Sequence, residues 1–216
     1  MTLVLDALCL RLAGVPLFAP LSLTVAPGTV ASVMGASGVG KSTLIDAIAG
    51  HLAPAFTLTG RVTLNGADIL ARPAEARRIG VVFQDAVLFP HLSVGDNLAF
   101  GLSRKVQGRA ARRAAVATAL DQAGLSGFAA RDPASLSGGQ RARAALMRSL
   151  LADPAALLLD EPFSKLDTVL RDEIRAFTFA HIQARAIPAL MVSHDPADAD
   201  AAQGPTIRLT PTGDPA

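Results

Sequence analysis

The run Gly35-Ala36-Ser37-Gly38-Val39-Gly40-Lys41-Ser42-Thr43 constrains this chain more than any other stretch. It fits G-x-x-x-x-G-K-[ST], the phosphate-binding P-loop, which works only between a strand and a helix. Residues 29–34 read as a buried strand, and Leu44, Ile45 and Ile48 share one face of a short helix that can stop at Gly50. Glycines tolerate positive φ and close approach, so several backbone N–H groups can point into one concavity. The helix N-terminus adds partial positive charge where an anion would sit. Lys41 can reach β- and γ-phosphates, and the Ser42 hydroxyl can ligate Mg²⁺. A chance glycine-rich turn is the alternative reading, and it leaves the flanking strand and helix unexplained.

The rest of the composition suits a packed α/β protein. Of the 216 residues, 50% are hydrophobic and 18% charged, which permits a sizeable core and argues against disorder. The net charge of +2 includes no polybasic tail, so nothing points to nucleic acid or anionic lipid. Cys9 is the single cysteine, which excludes an intramolecular disulfide and a cysteine metal cluster. It sits between Leu8 and Leu10 in a strand-like run and reads as passive. The N-terminus lacks a basic segment followed by an apolar one, so no signal peptide is expected. No apolar run approaches about 20 residues, so no membrane span is expected and a cytoplasmic setting follows.

Periodicity places the elements. Leu8, Leu10 and Leu12, then Leu21, Leu23 and Val25, alternate with other residues as in half-buried antiparallel strands. Pro27-Gly28 is a turn, and residues 60–66 form another alternating strand that ends in the hairpin signal Asn65-Gly66. An antiparallel lobe therefore brackets the P-loop unit. Residues 79–83 are continuously apolar, as in a strand covered on both faces, and end at Gln84. Ser93 and Asp96 can cap a helix running to about Phe100. A second helix spans about 109–123, with Val116, Leu120 and Ala123 on one face and Gly124 as its stop. Arg109, Arg112 and Arg113 crowd its first turn and read as a solvated face. Leu136-Ser137-Gly138-Gly139-Gln140 opens the next helix. Residues 155–159 are a short strand ending in Asp160-Glu161, and a long helix over 168–184 turns Leu170, Ile174 and Phe177 inward. Residues 187–192 and 206–209 are the last strands, and the tail from Thr210 is expected to fray.

Strands thus end at Gln84, at Asp160-Glu161 and at His194, and the P-loop also follows a strand's carboxyl end. Ligands of open α/β sheets bind beyond those ends, so all four groups could face one nucleotide. Asp160 can hold Mg²⁺, and Glu161 can accept a proton from an attacking water. Alone, Asp160-Glu161 could also be an acidic helix start before Pro162. His194 at a strand end is placed to contact a γ-phosphate. His51, His91 and His181 show no paired ligand spacing.

Residues 35–43, Gln84, 136–140, 157–161, Ser164-Lys165-Leu166-Asp167 and His194 stand in the order of an ABC transporter ATPase cassette. They resemble its Walker A, Q-loop, LSGGQ signature, Walker B, D-loop and H-switch, over about residues 3–209. The resemblance implies an α/β P-loop NTPase with a mainly parallel core sheet, an antiparallel β lobe and a helical signature lobe at about 85–152. It implies one cassette over 1–216, and the short tail suggests no C-terminal regulatory domain. It also implies ATP with Mg²⁺, the latter held by Ser42, Asp160 and Gln84. Glu161 would be the general base, and His194, Lys41 and Gln84 would assist. Two copies would sandwich each ATP between residues 35–43 of one and Ser137, Gly138, Gly139 and Gln140 of the other.

Residues 83–94 resemble the Q-loop surface of bacterial importer cassettes, where Val87, Leu88 and Phe89 would form an exposed apolar patch for a permease helix. Residues 83–88, 132–143 and 157–172 most resemble thiamine-type transport ATPases. The implied partners are a membrane permease and a solute-binding protein outside the cell, with the cassette on the inner membrane face and no nucleic acid bound. A non-transport ABC ATPase of DNA repair or translation is the alternative, but there is no room for a long coiled coil and only one cassette. A metabolite kinase would not explain LSGGQ. Two departures stand out. The aromatic residue usual before Walker A is missing, leaving Leu12 and, further on, Phe18. Lys165 occupies a D-loop position where a small residue is usual.

Overall fold

The computed structural model describes residues 1–211; most of the tail expected to fray lies outside them. In chain order the elements are β1 (Leu3–Leu12), β2 (Val15–Pro16), β3 (Leu21–Val25), β4 (Val30–Met34), α1 (Lys41–Ala49), β5 (Phe56–Leu64), β6 (Ala67–Asp68) and β7 (Ile79–Val82). There follow α2 (Val94–Phe100), α3 (Arg109–Gln122), α4 (Gly138–Leu151), β8 (Ala156–Asp160), α5 (Thr168–Ala184), β9 (Ala189–Ser193), α6 (Pro196–Ala202) and β10 (Thr206–Arg208). They divide into two units. The first is Met1–Val81 with Ala155–Glu161 and the chain from Phe179; the second is Val82–Pro154 with Pro162–Thr178.

The first unit is built on two sheets. β1 pairs antiparallel with β2, β3 and β5, and β6 extends β5. The alternation in β3 is realised, with Leu21, Leu23 and Val25 buried between exposed partners. β1 is less regular. Its pairing with both neighbours slips across Ala7, which has φ 46°. That bulge faces Gly60 of β5, where φ is 95° and a Cβ would lie 2.4 Å from the Ala7 carbonyl oxygen. Asn65 and Gly66 both have positive φ, as a type I′ turn between β5 and β6 requires.

The other sheet runs β10-β4-β9-β8-β7. β4 is parallel to β9 and β10, and β9 to β8. β4 and β9 are buried at every position, Ser32 and Ser193 included, as strands covered on both faces are. β7 corrects its expectation. It is the edge strand, and only Gly80 is fully buried, so its apolar run is not covered on both faces. One core joins the two sheets through α1: Leu3, Leu10 and Val62 share it with Leu44, Ile45, Ile48, Leu158 and Val192. Cys9 is buried and free, as expected of a passive strand residue.

The second unit is helical, with α2, α3 and α4 packed on one another. Its buried residues include Leu98, Val116, Leu120, Leu146, Met147 and Leu150. α3 buries the face expected of it, Val116 and Leu120 with Ala123 just beyond its end. Among the described residues no helix is long and apolar enough to cross a membrane.

Candidate functional site

β4 leads into the phosphate loop and α1 leaves it. Gly38 and Gly40 have φ 82° and 102°, and Gly40 is the N-cap of α1 in the left-handed region. A Cβ on Gly35 would lie 2.8 Å from Val39 Cγ1, so the loop closes on itself there. α1 ends at Gly50, whose N–H donates to the Asp46 carbonyl. Arg77 holds the same end. Its buried guanidinium donates to the Ala47 and Ile48 carbonyls at 2.8 Å and to those of Arg72 and Leu70 at 2.9 Å. Cation and donors at a helix C-terminus complement its dipole. No local pattern in the sequence marks Arg77, because two of its acceptors come from the end of α1, far back in the chain.

Lys41 is 5% exposed, and its Nζ donates to the carbonyls of Gly35 at 3.0 Å and Ala36 at 3.1 Å. It also lies 3.4 Å from Glu161 Oε1. The Ser42 hydroxyl donates to Asp160 Oδ1 at 3.0 Å. Burial pushes the Asp160 carboxyl above its ordinary value. The Ser42 hydrogen bond opposes that, Glu161 and Asp46 reinforce it, and Lys41 opposes it. Glu161 follows β8 in an unusual conformation, with φ 44°, and its N–H donates to the Val192 carbonyl at 3.0 Å. Its other oxygen, Oε2, meets His194 Nδ1 at 3.1 Å. Lys41, Glu161 and His194 thus form one continuous polar chain across the carboxyl ends of β4, β8 and β9. Of the groups the sequence aligned on strand ends, this unit brings together the P-loop, Asp160, Glu161 and His194.

Gln84 belongs to the second unit. There its Nε2 donates to Ser164 Oγ at 3.0 Å. The adjacent Asp85 pairs with Lys165 at 2.5 Å. Lys165 is therefore tied to the loop after Gln84 and not merely solvated. Ser137 caps α4 in a capping box: its hydroxyl accepts the Gln140 N–H, and Gln140 Oε1 accepts the Ser137 N–H. Ser137 and Gly138 are exposed, so the hydroxyl hydrogen and the first free N–H of α4 face outward. Gly139 is buried, and a Cβ there would come within 2.5 Å of Leu170 Cδ1.

The loop past Gln84 corrects the expected patch. Val87 is exposed, but Leu88 is buried and Phe89 half-buried. The Phe89 ring packs edge-on against Phe100 at 4.8 Å and beneath the Arg148 guanidinium at 5.0 Å. The sequence reading missed Asn97, which organises this loop. Fully buried, it accepts from the Phe89 N–H and donates to the carbonyls of Phe89, Leu92 and Ser93. The available signal was an amide on the same helical face as Val94 and Leu98. Phe18 is fully buried and so does not replace the missing aromatic, whereas Leu12 and Val15 of the β1–β2 hairpin are exposed.

Residues 18–164 match the family described as ABC transporter. The uncharacterized ABC transporter ATP-binding protein YnjD of Escherichia coli is 50% identical over 192 residues, covering 89% of this chain and 88% of that protein. The thiamine import ATP-binding protein ThiQ of Jannaschia sp. is 44% identical, covering 82% of this chain and 76% of that protein. The sulfate/thiosulfate import ATP-binding protein CysA of Mycobacterium bovis is 45% identical over 81% of this chain, and the match spans 49% of that longer relative.

Proposed function

The chain belongs to the ABC transporter family, as an ATP-binding and ATP-hydrolysing subunit, and on that premise we propose that it powers uptake through a separate membrane permease. In this reading residues 1–216 act as one cassette. It is held on the inner membrane face by the permease, and a solute-binding protein outside the cell delivers the substrate. Relatives named for import of thiamine and of sulfate or thiosulfate support the direction of transport.

The observation that carries the reading is the chain Lys41–Glu161–His194 beside Ser42–Asp160. Nucleotide phosphates displace the two carbonyls from Lys41 Nζ, and the loop N–H groups take the β-phosphate. Ser42 and Asp160 present hard oxygens 3.0 Å apart, a donor set that fits Mg²⁺. They would hold the ion, whose positive charge would offset that of the phosphates. Glu161 takes the proton of the attacking water, and His194 orients that carboxylate and faces the γ-phosphate. General-base assistance of this kind contributes about 10²–10⁴-fold. Completion of the site comes from a second copy, whose exposed Ser137 hydroxyl and α4 N-terminus meet the γ-phosphate. ATP thereby joins two copies, and hydrolysis parts them.

Glu161→Gln tests this directly. The amide preserves size and hydrogen bonding but cannot accept the proton, so ATP should persist and hold a dimer on size exclusion. A monomer with full ATPase activity would refute the role of Glu161.

A further inference from the structure

His194 is 57% exposed, and its ring meets Glu161 Oε2 at 3.1 Å. Its neighbours on either side hold the backbone that carries it. Ser193, the last residue of β9, is 2% exposed and its hydroxyl donates to Asp198 Oδ2 at 2.6 Å. Asp198, on the first turn of α6, is 3% exposed. The same Ser193 oxygen accepts the Asp195 N–H at 3.1 Å, closing the backbone around His194. Asp195 in turn caps α6, accepting the Ala197 N–H at 2.9 Å, and its carbonyl accepts the Asp198 N–H at 3.1 Å. On the strand side, the Glu161 N–H holds the Val192 carbonyl.

A carboxylate buried this deeply is costly to desolvate unless hydrogen-bonded, and α6 could begin on Asp195 and Pro196 alone. The burial of Asp198 against Ser193 therefore needs a reason beyond starting a helix. We infer that Asp198 and Ser193 are positioning residues for ATP hydrolysis, a buried pair that fixes the backbone on both sides of His194 and so aims its Nδ1 at Glu161. The inference rests on the reading of Glu161 and His194 given above. It extends that reading to two buried residues behind the histidine.

A double-mutant cycle on the purified full chain separates positioning from plain folding. Asp198→Asn keeps the shape and removes the charged acceptor. It should lower kcat for ATP hydrolysis by about 10- to 100-fold, the loss that misplacing a catalytic group by about 1 Å produces, with KM for ATP within about twofold. In a His194→Ala background the same change should alter kcat by less than about twofold, because there is no imidazole left to aim. Ser193→Ala should behave alike, and Ser193→Thr, which restores the hydroxyl, should recover most of the activity. Equal losses with and without His194, or a parallel rise in KM, would overturn the inference. Should Asp198→Asn fail to fold, the Ser193 series carries the cycle; failure of both to fold would assign the pair to stability alone. If His194→Ala itself leaves kcat unchanged, the role of His194 falls and this inference with it. A loss on His194→Ala with none on Asp198→Asn removes only the positioning pair.

Discussion

Glu161 combines its proposed catalytic role with a backbone that its own Cβ resists. At φ 44° an L-residue is disfavoured by about 1–2 kcal/mol, and such outliers persist where the surroundings fix them. Here the fixing bond is the Glu161 N–H to the Val192 carbonyl, which locks the end of β8 to β9. Comparing Glu161→Gly with Glu161→Ala isolates the strain, since both lose the carboxylate and differ only in Cβ. The glycine variant should be the more stable by about 1 kcal/mol, a gap of about 2–4 °C in Tm. That reverses the usual order, in which alanine is the better residue. A higher Tm for the alanine variant would show that the turn relaxes and stores no strain. The motif residues at this scale were legible because each chemistry requires fixed spacing in a short stretch. Arg77 and Lys165 were not, because partners arrive from far along the chain, the end of α1 for Arg77 and Asp85 for Lys165; Asn97 was not, because its four loop groups, though within eight residues, are gathered by a turn that no motif marks.

Elements were legible where one face alone is buried or where a cap is written in the residues. β3 alternates cleanly, α2 begins on Ser93 with its hydroxyl accepting the Asp96 N–H, and α4 begins on the capping box of Ser137 and Gln140. β1 and β5 were only partly so. Their alternation breaks at a bulge that no single strand announces, because Ala7 and Gly60 are unusual only in relation to each other. β7 failed for a related reason: an apolar run gives hydrophobicity, but its place at the sheet edge is a property of the sheet. The bulge yields a sharp prediction. Gly60→Ala places a methyl 2.4 Å from the Ala7 carbonyl oxygen and demands positive φ of alanine, so neither strand can yield without breaking its ladder. A loss of about 2–3 kcal/mol is expected, read as a lower urea midpoint with unchanged slope. A shift under about 0.5 kcal/mol would mean that β1 and β5 re-register freely.

At the scale of the whole molecule, the residues that resemble one nucleotide site are distributed over two compact units. The P-loop, Asp160, Glu161 and His194 belong to the first; Gln84, Ser164 and the α4 N-terminus belong to the second. The exposed Ser137 and Gly138 make no use of their outward hydrogen and N–H within the capping box, which consumes only the Gln140 N–H and the Ser137 N–H. The proposed completion of the site by another copy would account for that surplus, and two-fold symmetry would make both sites alike. Complementation decides it. Lys41→Ala removes the cation that meets the phosphates, and Ser137→Arg blocks the α4 N-terminus; each alone should abolish hydrolysis. In a mixed dimer the two lesions fall on the same site and leave the other intact. Random mixing of equal amounts should therefore recover about a quarter of the wild-type sites, and of its ATPase rate if sites act independently. No recovery on mixing, with both variants folded and the Ser137→Arg chain still binding ATP, would mean that each chain hydrolyses within itself and that the outward face of α4 serves some other contact.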